Sequence, residues 1–256
     1  MTQNTAAAQN TLKGVPVALL LLLSGSLFLQ PRALADDTLM LTGLVTGFSM
    51  GGVYTSPYII TVDGKPTDLV CDDFTTDISF GQTWNATQYT LASVTSSGPQ
   101  KFTAPNVTLP DGTTLSETIQ TKYGAAASLA ETLLTTPSIL ANSTLAGEYS
   151  FAIWQIFYAQ ATDGWNRNPL TSAQKTAVGT LISNALVAAA NSPLPTNVYV
   201  YTPDPTGAAQ EFFGFAPGST FQTFPVPEAS IPTFLAFDFL ALAIVVFLRR
   251  QLQPTR

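Results

Sequence analysis

The sequence predicts an α+β domain: an antiparallel β sheet or sandwich carrying a layer of about three helices. Three observations predict it. β-rich runs separated by turn residues fill the stretch from Leu39 to Ala92. Three segments with helical apolar spacing follow, and short β-rich runs then return at Val198–Thr202 and Glu211–Phe215. Strands, then helices, then strands suit helices gathered on one side of an antiparallel sheet.

Each element has its own signal. Leu39–Phe48 alternates loosely and stops at Gly51-Gly52. Tyr58–Val62 and Thr67–Cys71 flank Asp63-Gly64, a dipeptide that favours a tight hairpin. Thr83–Ala92 alternates, with Trp84, Ala86 and Gln88 opposing Asn85, Thr87 and Tyr89. The prolines at 99, 105 and 110 mark Ser93–Gly112 as a long loop. Thr114-x-x-Glu117 has the form of a capping box. Ile119, Tyr123, Ala126, Ala130, Leu133 and Leu134 then recur at helical spacing until Pro137. Leu145–Ala161 is apolar on nearly every side, which predicts a buried central helix with Trp154 inside the core. Thr171-x-x-Gln174 caps a third helix to about Ala190, with Val178, Leu181, Ile182 and Ala185 on one face. No internal repeat is visible.

Both ends of the chain read as sorting segments rather than as fold. Lys13 precedes an apolar core, Val15–Leu29, and Ala33-Leu34-Ala35 supplies small residues at signal-peptidase spacing. Residues 1–35 therefore read as a signal peptide, cut before Asp36; the alternative is an uncleaved anchor. Residues 36–216 are the exported domain, and 217–225 a proline-containing linker. Val226-Pro227-Glu228-Ala229-Ser230 is then followed by an apolar run, residues 231–248, and by Arg249-Arg250. Eighteen residues reach the lower part of the range for a membrane-spanning helix, roughly 17–25. The arginines suit its cytoplasmic end, which would leave the domain on the periplasmic side.

Motif, apolar run and basic pair, in that order, resemble the PEP-CTERM sorting signal of Gram-negative bacteria. Ala229 stands where that signal usually has a second proline. The resemblance implies an exosortase as processing partner, after the signal peptidase. It also implies a precursor anchored in the inner membrane by its C-terminal helix. The mature chain would then reside at the cell surface or in the extracellular matrix, associated with exopolysaccharide and biofilm. The plain alternative is an ordinary C-terminal anchor.

Composition narrows the function. Between Asp36 and Glu211 there are fourteen acids, against Lys65, Lys101, Lys122, Arg167 and Lys175. Such a balance offers no footprint for nucleic acid. The chain has no histidine, which removes Ser-His-Asp and Cys-His catalysis and every His-containing metal site. Its one cysteine, Cys71, permits no internal disulfide. No nucleophile motif is present, and no cofactor or metal is expected. Asp72, Asp73 and Asp77 have oxygen-ligand spacing, but the glycine and terminal glutamate of an EF-hand are missing. They read as solvated turn acids. Trp84, Trp154 and Trp165 could stack on sugars, but read more simply as core or loop anchors.

Leu69-Val70-Cys71-Asp72-Asp73-Phe74, Gln82-Thr83-Trp84 and Phe151-Ala152-Ile153-Trp154-Gln155 resemble exported PEP-CTERM proteins with no assigned activity. The first and third segments also resemble, more distantly, the thioester domains of Gram-positive surface adhesins. There a strand-end cysteine and a glutamine form an internal thioester that captures amines. The resemblance implies Cys71 as the cysteine. The glutamine departs from the pattern: it lies before Ala-Ile-Trp in those domains, where this chain has Ser150 or its neighbours, and Gln155 follows Trp154 instead. Read from its own surroundings, Cys71 is a small buried hydrophobe with an unreactive thiol. The expectation is a non-catalytic structural protein of the surface or matrix. The alternative is a ligand- or glycan-binding adhesin, with Cys71 and Gln155 as its thioester pair. A concave face with clustered aromatics and carboxylates would favour binding over structure.

Overall fold

The computed structural model describes residues 36–45, 48–163 and 168–219. The expected signal peptide, sorting motif and apolar run lie outside these residues, as do Trp165, Arg167 and most of the linker. Among the described residues no helix is long and apolar enough to cross a membrane.

The sheet is closed, not an open sheet or a sandwich. Its strands are β1 (Asp36–Leu44), β4 (Tyr58–Val62), β5 (Lys65–Cys71), β6 (Thr83–Thr90), β9 (Tyr199–Asp204) and β10 (Phe212–Gly214). They form an antiparallel barrel in the order β1-β4-β5-β10-β9-β6, with β6 returning to β1. Closure follows from β1 pairing on both edges: Leu39 lies between Val62 of β4 and Trp84 of β6. It removes the unpaired strand edges that an open sheet leaves. The β4–β5 hairpin turns at Asp63-Gly64 as the sequence predicts, with φ of 50° and 75°, a left-handed pair that glycine relieves.

Large apolar side chains fill the barrel. Phe212 of β10 stacks on Trp84 of β6 at 6.0 Å and meets Tyr58 of β4 edge-on at 5.9 Å. These strands are not neighbours, so the rings touch across the interior. On the outer wall Val70 pairs with Phe213. Phe213 packs against Tyr123 and Phe157 of the helical layer.

That layer consists of α1 (Ile119–Thr135), the short α2 (Pro137–Leu140), α3 (Ser143–Phe157) and α4 (Ser172–Asn191). α1, α3 and α4 pack on one another. α4 opens with the expected Thr171–Gln174 capping box. Pro137 both ends α1 and opens α2, because a proline at the first helical position loses no hydrogen bond. α3 opens at Asn142, whose Oδ1 accepts from Thr144 N and Leu145 N. It ends at Phe157 rather than at Ala161, since Gln155 captures the chain beyond. Its Nε2 donates to Ala159 O, and its Oε1 accepts from Thr162 N.

Thr114 does not cap a helix. β8 (Thr114–Ser116) pairs with β7 (Asn106–Thr108) around Asp111-Gly112, so the expected long loop contains a hairpin. Asp111 Oδ1 accepts from Thr113 N at 2.9 Å, and that turn outcompetes the capping box. The α1 cap is Thr118, which accepts from Thr121 N.

A second small hairpin positions the site. β2 (Ser49–Met50) pairs with β3 (Val53–Tyr54), and β2 lies against α3. Gly147 lets the two approach closely: a Cβ there would meet Met50 Cε at 2.6 Å and Met50 Cβ at 3.0 Å.

Candidate functional site: a cleft backed by Cys71 and Gln210

A cleft of about 830 Å³ opens at one end of the barrel. The β2–β3 hairpin forms one wall, the loop 73–80 another, and Trp154 and Gln210 also line it. Tyr54 and Phe80 stand on it 58% and 61% exposed, an unusual exposure for rings of this size. Asp73 and Asp77 are its charged lining residues among those the structure describes. Asp77 is solvent-exposed, as the sequence suggests.

Asp72 and Asp73 are not solvated turn acids. Both are fully buried. Burial of Asp73 is tolerable because every face of its carboxylate is matched. Oδ1 accepts from Thr75 N, Thr75 Oγ1 and Thr76 N, while Oδ2 pairs with the Lys101 ammonium. Lys101 also donates to Thr76 Oγ1.

Behind the cleft lies Cys71, a free and fully buried thiol. Its backbone N donates to Ser56 Oγ at 3.2 Å; Ser56 N donates to Ser150 Oγ, and Ser150 Oγ to Ala146 O. That chain ties the end of β5 to α3, so Ser150 buttresses the cysteine. The Trp154 indole N–H is buried with no hydrogen-bond partner among the described residues. Trp154 is thus both buried, as predicted, and part of the cleft's back wall. Burial pushes the Cys71 thiol well above its ordinary pKa, and the charges of Asp73 and Asp72 push it further.

Cys71 Sγ donates to the backbone carbonyl of Asp73 at 3.2 Å. Gln210 Nε2 donates to that same carbonyl at 3.2 Å. The thiol and the carboxamide therefore lie within two hydrogen-bond lengths of each other. Gln210 Nε2 also donates to Thr76 O, but Gln210 Oε1 is buried with no partner among the described residues. The pairing comes from the sheet: Cys71 lies opposite Phe212, two residues beyond Gln210.

Gln155 is held elsewhere. Its Nε2 donates to Thr108 O and Ala159 O, both at 2.7 Å, and its Oε1 accepts from Thr162 N and Thr162 Oγ1. Gln210 escaped sequence reasoning because 137 residues separate it from Asp73. The available signal was a polar pair, Gln210-Glu211, opening the apolar strand Phe212-Phe213. Of the other predicted positions, Asp36 begins β1 and accepts from Thr87 Oγ1, and Trp84 fills the barrel. Among the described residues no group of three or more acids or cysteine is placed to hold a metal ion.

No family model, no curated protein and no solved structure matches the chain.

Proposed function

We propose that the chain is an exported surface adhesin whose cleft ends in a thioester between Cys71 and Gln210. The observation that carries this reading is the Asp73 carbonyl shared by Cys71 Sγ and Gln210 Nε2. Proximity of this kind replaces a bimolecular encounter with an intramolecular step. Sγ attacks Gln210 Cδ; the Sγ–Cδ bond forms, the Cδ–Nε2 bond breaks, and the thiol proton leaves with the nitrogen as ammonia. A target amine then attacks Cδ. An amide forms, and the sulfur leaves with the amine's proton as a thiol. This is single-use capture without turnover, consistent with a non-catalytic protein. Burial shields the Cys71 thiol from solvent, while Gln210 meets it from within the fold.

The cleft supports binding over a purely structural role in the matrix. Its exposed rings and the exposed Asp77 make the concave aromatic and acidic face that a ligand-binding protein needs. Tyr54 and Phe80 also favour a second reading, non-covalent binding of glycan, including exopolysaccharide, by ring stacking. Export and sorting belong to the same proposal. Signal peptidase and exosortase would leave a surface form that begins at Asp36 and lacks residues 231–256.

The test is capture. The purified protein is incubated with a small biotinylated primary amine, and the adduct is mapped by peptide mass spectrometry. The reading predicts one adduct, on Gln210, absent in Cys71→Ala. An adduct on Gln155 would move the pair. No adduct, with glycan binding lost in Tyr54→Ala and Phe80→Ala, would leave the non-covalent reading.

A further inference from the structure

The residues that follow the two thioester partners meet each other as well. Asp72 follows Cys71 and Glu211 follows Gln210, and both are fully buried against the helical layer. Their backbones are joined, Asp72 N donating to Glu211 O at 3.2 Å. The Glu211 carboxylate is well served. Tyr123 OH donates to Oε1 at 2.7 Å, and Thr202 Oγ1 and Lys101 N donate to Oε2 at 2.6 and 3.0 Å. Asp72 is the opposite case. Among the described residues neither of its oxygens has a hydrogen-bond partner from another residue, and its carboxyl sits beside that of Glu211.

Two ionised carboxylates side by side in a buried site repel, and an undonated buried carboxylate forfeits its solvation without return. A single proton removes both costs, because a protonated Asp72 can donate to Glu211. We propose that Asp72 and Glu211 share one proton and act as a positioning clamp that holds Cys71 against Gln210. What the clamp serves rests on the thioester reading; the shared proton does not.

The other titratable or charged groups around the pair do not replace that proton. Asp73, on the same segment, spends its carboxylate on Lys101 and on the turn at Thr75-Thr76. The Lys101 ammonium is directed at Asp73 and Thr76. Burial drives the Cys71 thiol and the Tyr123 hydroxyl upward, so both stay neutral. Burial, then the Glu211 and Asp73 charges, also holds Asp72 well above the usual carboxylate range. Burial raises Glu211 too, against the pull of its donors.

Asp72 binds its proton more tightly in the folded state than in the unfolded one. The stability from the shared proton is therefore complete below the unfolded value, near 3.8, and is lost as pH rises toward the folded value.

The test compares the parent with Asp72→Asn, whose amide donates to Glu211 but cannot ionise. Melting temperature is measured from about pH 4 to about pH 8, spanning the range above the unfolded carboxylate value. Asp72→Asn should melt several degrees above the parent at the alkaline end and show a flatter profile. Glu211→Gln, which removes the neighbouring charge, should flatten it too. In a second arm both proteins are refolded and the rate of ammonia loss is followed by mass. The ratio of the Asp72→Asn rate to the parent's should rise with pH, on the order of tenfold across the range. An Asp72→Asn protein that melts below the parent at every pH, with a parallel profile, overturns the shared proton. A ratio constant with pH overturns the positioning role. A parent that never loses ammonia sinks the thioester reading instead, and the melting profiles still decide the proton.

Discussion

Gln155 and Gln210 are two buried glutamines in one domain, and they are held in opposite ways. Gln155 has four hydrogen bonds and ties β7, the end of α3 and the following turn together. Gln210 donates twice, but among the described residues its carbonyl oxygen has no partner; it shares an acceptor with a thiol and lies on a cleft wall. A buried polar atom without a partner costs stability. A fold tolerates such a cost most readily where the group has another use. The difference separates a glutamine that builds the domain from one whose carbonyl oxygen is left unengaged among the described residues.

The largest effect expected around this comparison falls on the wall shared by both regions. Trp154 is buried against Phe74 and Phe151, with ring centroids at 5.3 and 5.0 Å. Trp154→Ala should cost about 3–5 kcal/mol, a large share of a typical domain stability of about 5–15 kcal/mol. Chemical denaturation measures it, and a midpoint near the parent's would show that the wall is not part of the core.

The comparison itself sets the next two. Gln155→Leu leaves Thr108 O, Ala159 O and the Thr162 donors without partners, and should cost about 2–4 kcal/mol. Gln210→Leu removes the orphaned Oε1 but also the donor to Thr76 O, and should cost less, about 1–2 kcal/mol. Equal losses in the two variants, read from the same denaturation curves, would erase the distinction. The smallest stability effect belongs to the rim. Tyr54→Ala and Phe80→Ala should stay within about 0.5 kcal/mol of the parent, because both rings are largely exposed. Their effect should appear in target binding instead, as weaker retention on the immobilised ligand.

Much of the fold was legible because its signals are local. The Asp63-Gly64 turn, the Thr171–Gln174 box and the apolar perimeter of α3 each act within a few residues. Where two local signals competed, the pattern misled: Thr114-x-x-Glu117 has a capping-box form, but the Asp111-Gly112 turn makes Thr114 the start of a strand. Barrel closure was not legible, since it depends on β1 pairing with both β4 and β6. The site was half legible. Cys71 stood out as the sole cysteine, and Trp154 as the centre of the buried helix. Gln210 did not, because its relation to Cys71 exists only after β10 docks on β5. The burial of Asp72 and Asp73 was hidden for the same reason, as their partners Glu211 and Lys101 are distant in the chain.

The most direct test of the central claim is the intact mass of the folded protein. It should lie one ammonia below the mass expected from its residues. The deficit should vanish in Cys71→Ala and in Gln210→Leu and persist in Gln155→Asn, a change that keeps a carboxamide in the staple. A full mass in the parent, with slow thiol labelling in the native state and complete labelling after denaturation, would contradict the thioester and leave Cys71 as a buried structural thiol.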